Sequence, residues 1–389
     1  MSPSLVNEMT TEQKVFFELV RAGLWGTAAD PAVFYAETNW KNLYEHGRRQ
    51  TMLGIMLDGI RTLPEALRPG RGLYLQWCAS VLQIEEQNKK INQEIGKLYT
   101  LLRSEGVRPI LLKGQGAARH YLDPLHRQCG DIDLYIGEAR FEQVNRLLRQ
   151  DGVETLEPSA KHSHFEWNGV VVENHRILAQ MKAPGANRIL QNIIASWYES
   201  GMAESFSLDG CEVDVPPATF DVLFLLQHAV NHLMASGIGV RQICDWACLL
   251  HSQKKTIRRE TVAEELRRLG LDKAARIIGA FAVDYLGLPI EDLPLPFDKN
   301  DESLCGFLRD EIWTGGNFGM KDPRKTPRPD GYWSGKWHTF RTTLRRQIRL
   351  WKIAPSEAAW MPYSMIRNFL KAQRSLLLRK RDRKKTIPA

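Results

Sequence analysis

Residues Ile110 to Ile136 read ILLKGQGAARHYLDPLHRQCGDIDLYI. An apolar run ends in Lys113-Gly114, a short polar segment follows, and a second apolar run carries Asp131 and Asp133. In an extended strand, residues two apart share a face. Asp131 and Asp133 are therefore expected side by side, with Ile132 and Leu134 turned into a core. Two carboxylates held that close repel each other unless a cation lies between them. Mg²⁺ takes such hard oxygen sites and usually shares them with phosphates. The stretch predicts a short strand bearing a metal-dependent phosphate site.

The periodicity changes on either side of it. Upstream, Val15, Phe16, Leu19, Val20 and Leu24 recur at helical spacing, as do Leu53, Ile55, Met56 and Ile60. Residues 85–104 form another helical pattern, ended by Glu105-Gly106. Pro109 to Leu112 is strand-like, Ala117 to Tyr121 suits a helical turn, and Phe141 to Arg149 returns to helix. Downstream, Phe165-Glu166-Trp167 and Val170-Val171-Val172 flank Asn168-Gly169, the strongest short hairpin signal. That hairpin places Glu173 and His175 on one face of its second strand. Cys211 to Val215 reads as one more strand, and Thr219 to His251 is helical again. Past Leu288, Pro289, Pro294 and Pro296 mark a boundary or long loop.

The order is helices, a small α/β unit, then helices, which predicts an α+β fold with a small sheet core. Four regions are expected: helical 1–104, an α/β core 105–215, helical 216–290, and an aromatic, basic 291–389.

The chain has 389 residues, 43% of them hydrophobic and 25% charged, enough for a sizeable core and ordinary for a globular protein. A net charge of +8 favours anionic ligands without identifying nucleic acid. The opening residues carry no secretory pattern, and no apolar run approaches bilayer length. The six cysteines are scattered and form no disulfide framework, so a reducing cytoplasm is expected.

Phosphoryl chemistry explains the residue types. When an acceptor oxygen attacks a nucleoside triphosphate, charge spreads over phosphoryl oxygens, and the protein mainly supplies position and countercharge. Two metal ions can clamp the entering and leaving oxygens. Asp131 and Asp133 supply a carboxylate pair; Glu173 is the expected third, with Glu166 its rival on the facing strand. Gly114 lets backbone approach a phosphate, and a helix starting after it would offer free amides. Lys113 either contacts the triphosphate or reaches water from a strand end. Arg127 either adds a second cation or forms a structural salt bridge with Asp131 or Asp123.

Lys113-Gly114, Ala117, Tyr121, Arg127 and Asp131-Ile132-Asp133 resemble the KG…R…DxD core of a family of uncharacterised bacterial nucleotidyltransferases in the DNA polymerase β-like superfamily. Val172-Glu173-Asn174-His175 resembles that family's third-carboxylate strand. His228, His232, Arg241 and Asp245 resemble its helical segment with two histidines and an arginine before an aspartate. The likeness runs from the N-terminal helices to about residue 255. It implies a small mixed β-sheet flanked by helices, one or two Mg²⁺ ions, and transfer of a nucleoside monophosphate from an NTP to an acceptor. It also places Gln115 where the superfamily has Gly or Ser. The alternatives are an inactive nucleotide-binding regulator or scaffold, and an RNA-directed enzyme or RNA-binding module that uses the basic C-terminal end.

Three further groups admit more than one reading. His228, His232, Cys244 and Cys248 lie at helical spacing and imitate a zinc site, but cysteines in an apolar helix are ordinarily core. His232, Arg241 and Asp245 either form a polar network beneath the site or contact the nucleotide. The basic end, Arg379 to Lys385, binds nucleic acid or an acidic membrane surface, or is a solvated tail.

Overall fold

The computed structural model describes residues 9–35, 38–150, 153, 162–320 and 322–385; side chains of 371, 372 and 375–385 lie outside the described set. The basic run Arg379 to Lys385 therefore falls outside the side-chain description.

Four helices come first: α1 (Thr11–Trp25), α2 (Trp40–Gln50), α3 (Leu53–Thr62) and the long α4 (Arg71–Ser104). Thr10 and Gln13 cap α1 reciprocally, and Gly26 closes it in the left-handed conformation. The α/β unit follows: β1 (Ile110–Leu112), a single turn α5 (Gly114–Ala118), β2 (Asp131–Tyr135), α6 (Glu138–Gln150), β3 (His162–Trp167) and β4 (Val170–His175). After α7 (Pro184–Glu199) comes a separate hairpin of β5 (Glu204–Leu208) and β6 (Cys211–Val215). The remainder is helical: α8 (Ala218–Ala235), α9 (Val240–Ser252), α10 (Arg259–Leu269), α11 (Asp272–Asp284), α12 (Lys299–Gly315), α13 (Tyr332–Leu350) and α14 (Pro355–Lys385). The fold is α+β, mostly helical. None of the described helices is long and apolar enough to cross a membrane.

The four-stranded sheet runs β1-β2-β4-β3. β1 is antiparallel to β2, β2 parallel to β4, and β4 antiparallel to β3. Asn168 and Gly169 both have positive φ at the β3–β4 turn, as a tight hairpin of this type requires. Alternation then sorts the side chains. Ile132, Leu134, Phe165, Val170 and Val172 join Ile91, Ile95, Leu98 and Leu102 of α4 in one apolar cluster. Val213 and Val215 of the hairpin complete it. Burying each such side chain contributes about 1.5–3 kcal/mol. The opposite face therefore carries Asp131, Asp133, Glu173 and His175.

A second, larger cluster joins α1 and α3 to α8, α9, α11 and residues Leu350, Ile353 and Ala354. It forms the wall facing the polar side of the sheet. The turn Asn317–Gly319 is pressed onto the α8–α9 connection. A Cβ at Gly319 would meet the Ser236 carbonyl at 2.0 Å, and one at Gly237 would meet Gly319 N at 2.9 Å. Glycine at both positions permits this backbone contact. Arg346 and Gln347 of α13 donate to the carbonyls of Leu233 and Met234, which end α8.

Two details refine the sequence reading. The helix after Lys113 begins at Gly114 rather than Ala117. The Cys211–Val215 strand pairs with Glu204–Leu208, around Asp209 and Gly210, both at positive φ. That Asp-Gly pair is itself a hairpin signal.

Candidate active site

Register builds the site. Asp133 is opposite Leu112 of β1 on one side and Glu173 of β4 on the other. Asp131 is opposite Val171. Glu173 is thus the third carboxylate beside Asp133, whereas Glu166 is exposed and pairs with Val171. The β1 strand ends at Lys113, whose backbone has φ +47°, a conformation that strains a non-glycine residue by on the order of 1–3 kcal/mol. From that turn the Lys113 ammonium lies 2.8 Å from Asp133 Oδ1. His175 Nε2 lies 2.8 Å from the same oxygen and 3.4 Å from Glu173 Oε2. On the edge strand, His164 Nδ1 is 3.3 Å from Glu173 Oε1.

Lys113, Asp131, Asp133, Glu173 and His175 line a cavity of about 870 Å³, with Gly114, Arg127, His232, Arg241 and Asp245 also on its wall. Arg127 is buried and makes a two-pronged bridge to Asp245, at 3.0 and 2.6 Å. The Tyr121 hydroxyl donates to Asp245 at 2.7 Å. The Arg127 salt bridge therefore exists, but to Asp245 rather than to Asp131 or Asp123. Arg241 donates to the Gln128 carbonyl, and its Nε is buried without a hydrogen-bond partner. His232 packs edge-on to His228, with ring centres 4.4 Å apart, and against Phe318 at 4.7 Å. Gln115 is not brought to the cavity: its side chain turns back to Asn88 of α4, at 3.3 Å from the carbonyl. Cys244 and Cys248 are core residues whose thiols burial pushes well up. Among the described residues, neither belongs to a group able to hold a metal.

The charges divide unevenly. Burial works against the Asp133 carboxylate, but Lys113 and His175 outweigh it and hold its carboxyl far below the usual range. Burial and the neighbouring Asp133 push Asp131 up instead. The hydrogen bond from His175 holds Glu173 down. Burial disfavours the Lys113 and His175 cations, yet Asp133 outweighs it and both stay raised. Burial, with Lys113 adding to it, lowers His232 to about 4, leaving its ring neutral. Burial and Arg127 lower Arg241. The cavity thus presents fixed anions on the sheet and fixed cations around them.

Two features escaped the sequence reading. His162 and His164 sit on the same sheet face as Glu173, and only their period of two on β3 marks them. Phe318 reaches the cavity from a segment with no motif.

Among solved structures, the crystal structure of an antigenic nucleotidyltransferase-like protein from Paracoccidioides brasiliensis is similar. It shares 13% identity at a TM-score of 0.30, over 42% of this chain and 76% of that one. No curated protein matches. A family model described as an uncharacterised nucleotidyltransferase matches residues 36–287, past the expected limit of about 255 and through α11. The strands, the carboxylates and their ring of cations all lie within that span. The chain belongs to this uncharacterised nucleotidyltransferase family.

Proposed function

We propose that this protein is an Mg²⁺-dependent enzyme that moves a nucleoside monophosphate from an NTP to an acceptor. The observation that carries the reading is the register: Asp133 and Glu173 sit face to face on parallel strands, beside Asp131, in a cavity also lined by Lys113, Arg127 and Arg241.

The two facing carboxylates fit the metal: oxygens of Asp133 and Glu173 lie within 4.8 Å of each other, on strands that also carry Asp131. Asp131, Asp133 and Glu173 are the residues that would hold one or two Mg²⁺ ions. When bound, Mg²⁺ supplies positive charge to phosphoryl oxygens and a template for in-line displacement. The chain's own groups do the rest. Lys113 and the Gly114 turn receive the phosphate tail, where Gly114 (φ +42°) leaves room beside the Cys129 thiol. Arg241 offers its unpartnered Nε to the same anion. Arg127 shapes the pocket floor through Asp245. Neutral His232 and the Phe318 ring give a base flat faces to lie against. Glu173 either completes the metal set or takes the proton of an acceptor hydroxyl. The unpaired cysteines support a cytoplasmic setting.

One observation favours a second reading. Lys113 and His175 already neutralise Asp133 Oδ1, as in a regulator that binds nucleotide without turnover. Incubating the protein with cell extract, Mg²⁺ and each of the four NTPs labelled at the α-phosphate separates the two. Labelled product that needs Mg²⁺ supports transfer; nucleotide binding with no product under any condition supports the regulator.

A further inference from the structure

The polar face of the sheet carries more nitrogen ligands than a magnesium site needs. His162 and His164 alternate on β3 with the inward Ser163 and Phe165. In the antiparallel register His164 faces Glu173 and His162 faces His175. Directly opposed residues bring their Cβ atoms to about 4.5–5.5 Å. Their side chains converge accordingly: ring centres of His162 and His164 are 4.5 Å apart, and those of His162 and His175 are 5.7 Å apart. One ligand atom each from His162, His164 and Glu173 falls within 4.8 Å of the others.

Ion pairs to Glu173 account for His164 and His175. A cation shared by His162, His164 and Glu173 would sit where the register already gathers their ligand atoms. The spacing suits it. Tetrahedral bonds of 2.0–2.1 Å to nitrogen and oxygen place neighbouring ligand atoms about 3.4 Å apart. His164 Nδ1 stands 3.3 Å from one Glu173 oxygen.

We propose that His162, His164 and Glu173 form a binding site for a transition-metal ion that favours imidazole, of which Zn²⁺ is the representative, separate from the Asp131–Asp133 pair. Imidazole selects such an ion over Mg²⁺, which prefers oxygen alone. Glu173 then borders both positions, one oxygen toward the histidines and the other toward His175 and Asp133. The site shares Glu173 with the nucleotidyltransferase reading but does not require turnover.

The test is calorimetric titration of the full chain with Zn²⁺ in the presence of excess Mg²⁺, and separately with Mg²⁺ alone. The expected result is one Zn²⁺ retained against Mg²⁺, with affinity falling by about tenfold or more in His162→Ala and in His164→Ala. Asp131→Asn is expected to weaken Mg²⁺ and leave Zn²⁺ unchanged. Circular dichroism confirms that each variant is folded. Zn²⁺ binding unaltered in a His162→Ala/His164→Ala double variant, or Zn²⁺ displaced by equimolar Mg²⁺, overturns the proposal. An unaltered chain that binds no Zn²⁺ yet incorporates nucleotide removes this site alone, whereas Zn²⁺ binding without incorporation removes the transferase reading alone.

A different surface carries a second inference. Residues 332–385 hold fifteen Lys and Arg against two acidic residues, Glu357 and Asp382. Along α13, Trp333, Trp337, Arg341, Arg345 and Ile348 form one exposed stripe at helical spacing. Along α14, Trp360, Tyr363, Ile366 and Leu370 are exposed as well. A second copy would bring like charges together, so the charge selects a polyanion. Aliphatic Ile348, Ile366 and Leu370 gain nothing from stacking on bases, but an aromatic and aliphatic face rimmed by Arg suits the headgroup layer of a bilayer. We infer that α13 and α14 dock on an anionic lipid surface. Co-sedimentation of the full chain with phosphatidylserine-containing vesicles, pure phosphatidylcholine vesicles and single-stranded RNA tests this. Binding to the anionic vesicles that falls at least about tenfold in Trp333→Ser/Trp337→Ser supports it. Binding to RNA without vesicle binding, or vesicle binding indifferent to those two tryptophans, overturns it.

Discussion

The Lys113 ammonium lies 2.8 Å from Asp133 Oδ1, across the β1–β2 pair in which Leu112 faces Asp133. A side-chain cation thus stands at the position where the proposed metal would need the carboxylate. Under the proposed reading, Lys113 and a bound Mg²⁺ would compete for Asp133, and a triphosphate would draw the lysine away.

Lys113→Met removes that competitor while keeping the buried stem. Mg²⁺ affinity is expected to rise about tenfold, and nucleotide incorporation to fall on the order of 10²-fold because the phosphate tail loses a donor. Isothermal titration with Mg²⁺ and initial rates of incorporation check both arms. Unchanged metal affinity together with an unchanged rate would remove the competition.

Asp133→Asn keeps the shape and loses the charge. Incorporation is expected to drop by on the order of 10²–10³. Asp131 and Glu173 also act on Lys113, so the lysine keeps countercharge and the melting temperature moves little. Near-normal incorporation by this variant would refute the assigned metal ligands.

Asp245 is buried and takes three hydrogen bonds, two from Arg127 and one from Tyr121. Asp245→Ala leaves the Arg127 guanidinium buried without its partner, and is expected to destabilise the fold by about 3–5 kcal/mol. Arg127→Met/Asp245→Leu is expected to lose less than the single variant, since no charge is stranded. Urea unfolding measures both. A single-variant loss below about 1 kcal/mol contradicts the account.

Asp221 lies buried in the first turn of α8, and burial outweighs the pull of Arg119 to raise its carboxyl to about 7. The unfolded carboxyl titrates near 3.9, roughly as in model peptides. Between those values the folded state holds a proton that the unfolded state lacks. Stability from this group is full below about pH 4 and is lost as pH rises toward 7, by on the order of 1 kcal/mol per pH unit. Asp221→Asn is expected to flatten that slope in urea unfolding between pH 5 and 7.5. A slope that persists in the variant would show that another group causes it.

Where residues act within a few positions of one another, the sequence was readable. Asp131 and Asp133 share a face because Ile132 and Leu134 must enter the core, and the Asn168-Gly169 turn fixed the β3–β4 pairing. The choice of Glu173 over Glu166 needed more. It depends on the parallel pairing of β2 with β4, set by a crossover through α6, and no local pattern states that register. Arg127 was visible but its partner was not, because Asp245 is 118 residues away on α9. Gln115 follows the motif, yet its side chain finds Asn88 because the single turn of α5 points it at α4. Phe318 could not be inferred at all. It enters through the backbone contact of Gly237 with Gly319, which depends on tertiary packing alone.

That last contact has a consequence for the family. The turn holding Asn317 and Phe318 lies beyond residues 36–287, yet it forms part of the cavity wall. The carboxylates and this part of the cavity wall are therefore encoded by separate stretches of chain. Under the proposed reading, changes confined to that turn would alter which acceptor fits and leave the acidic strands untouched.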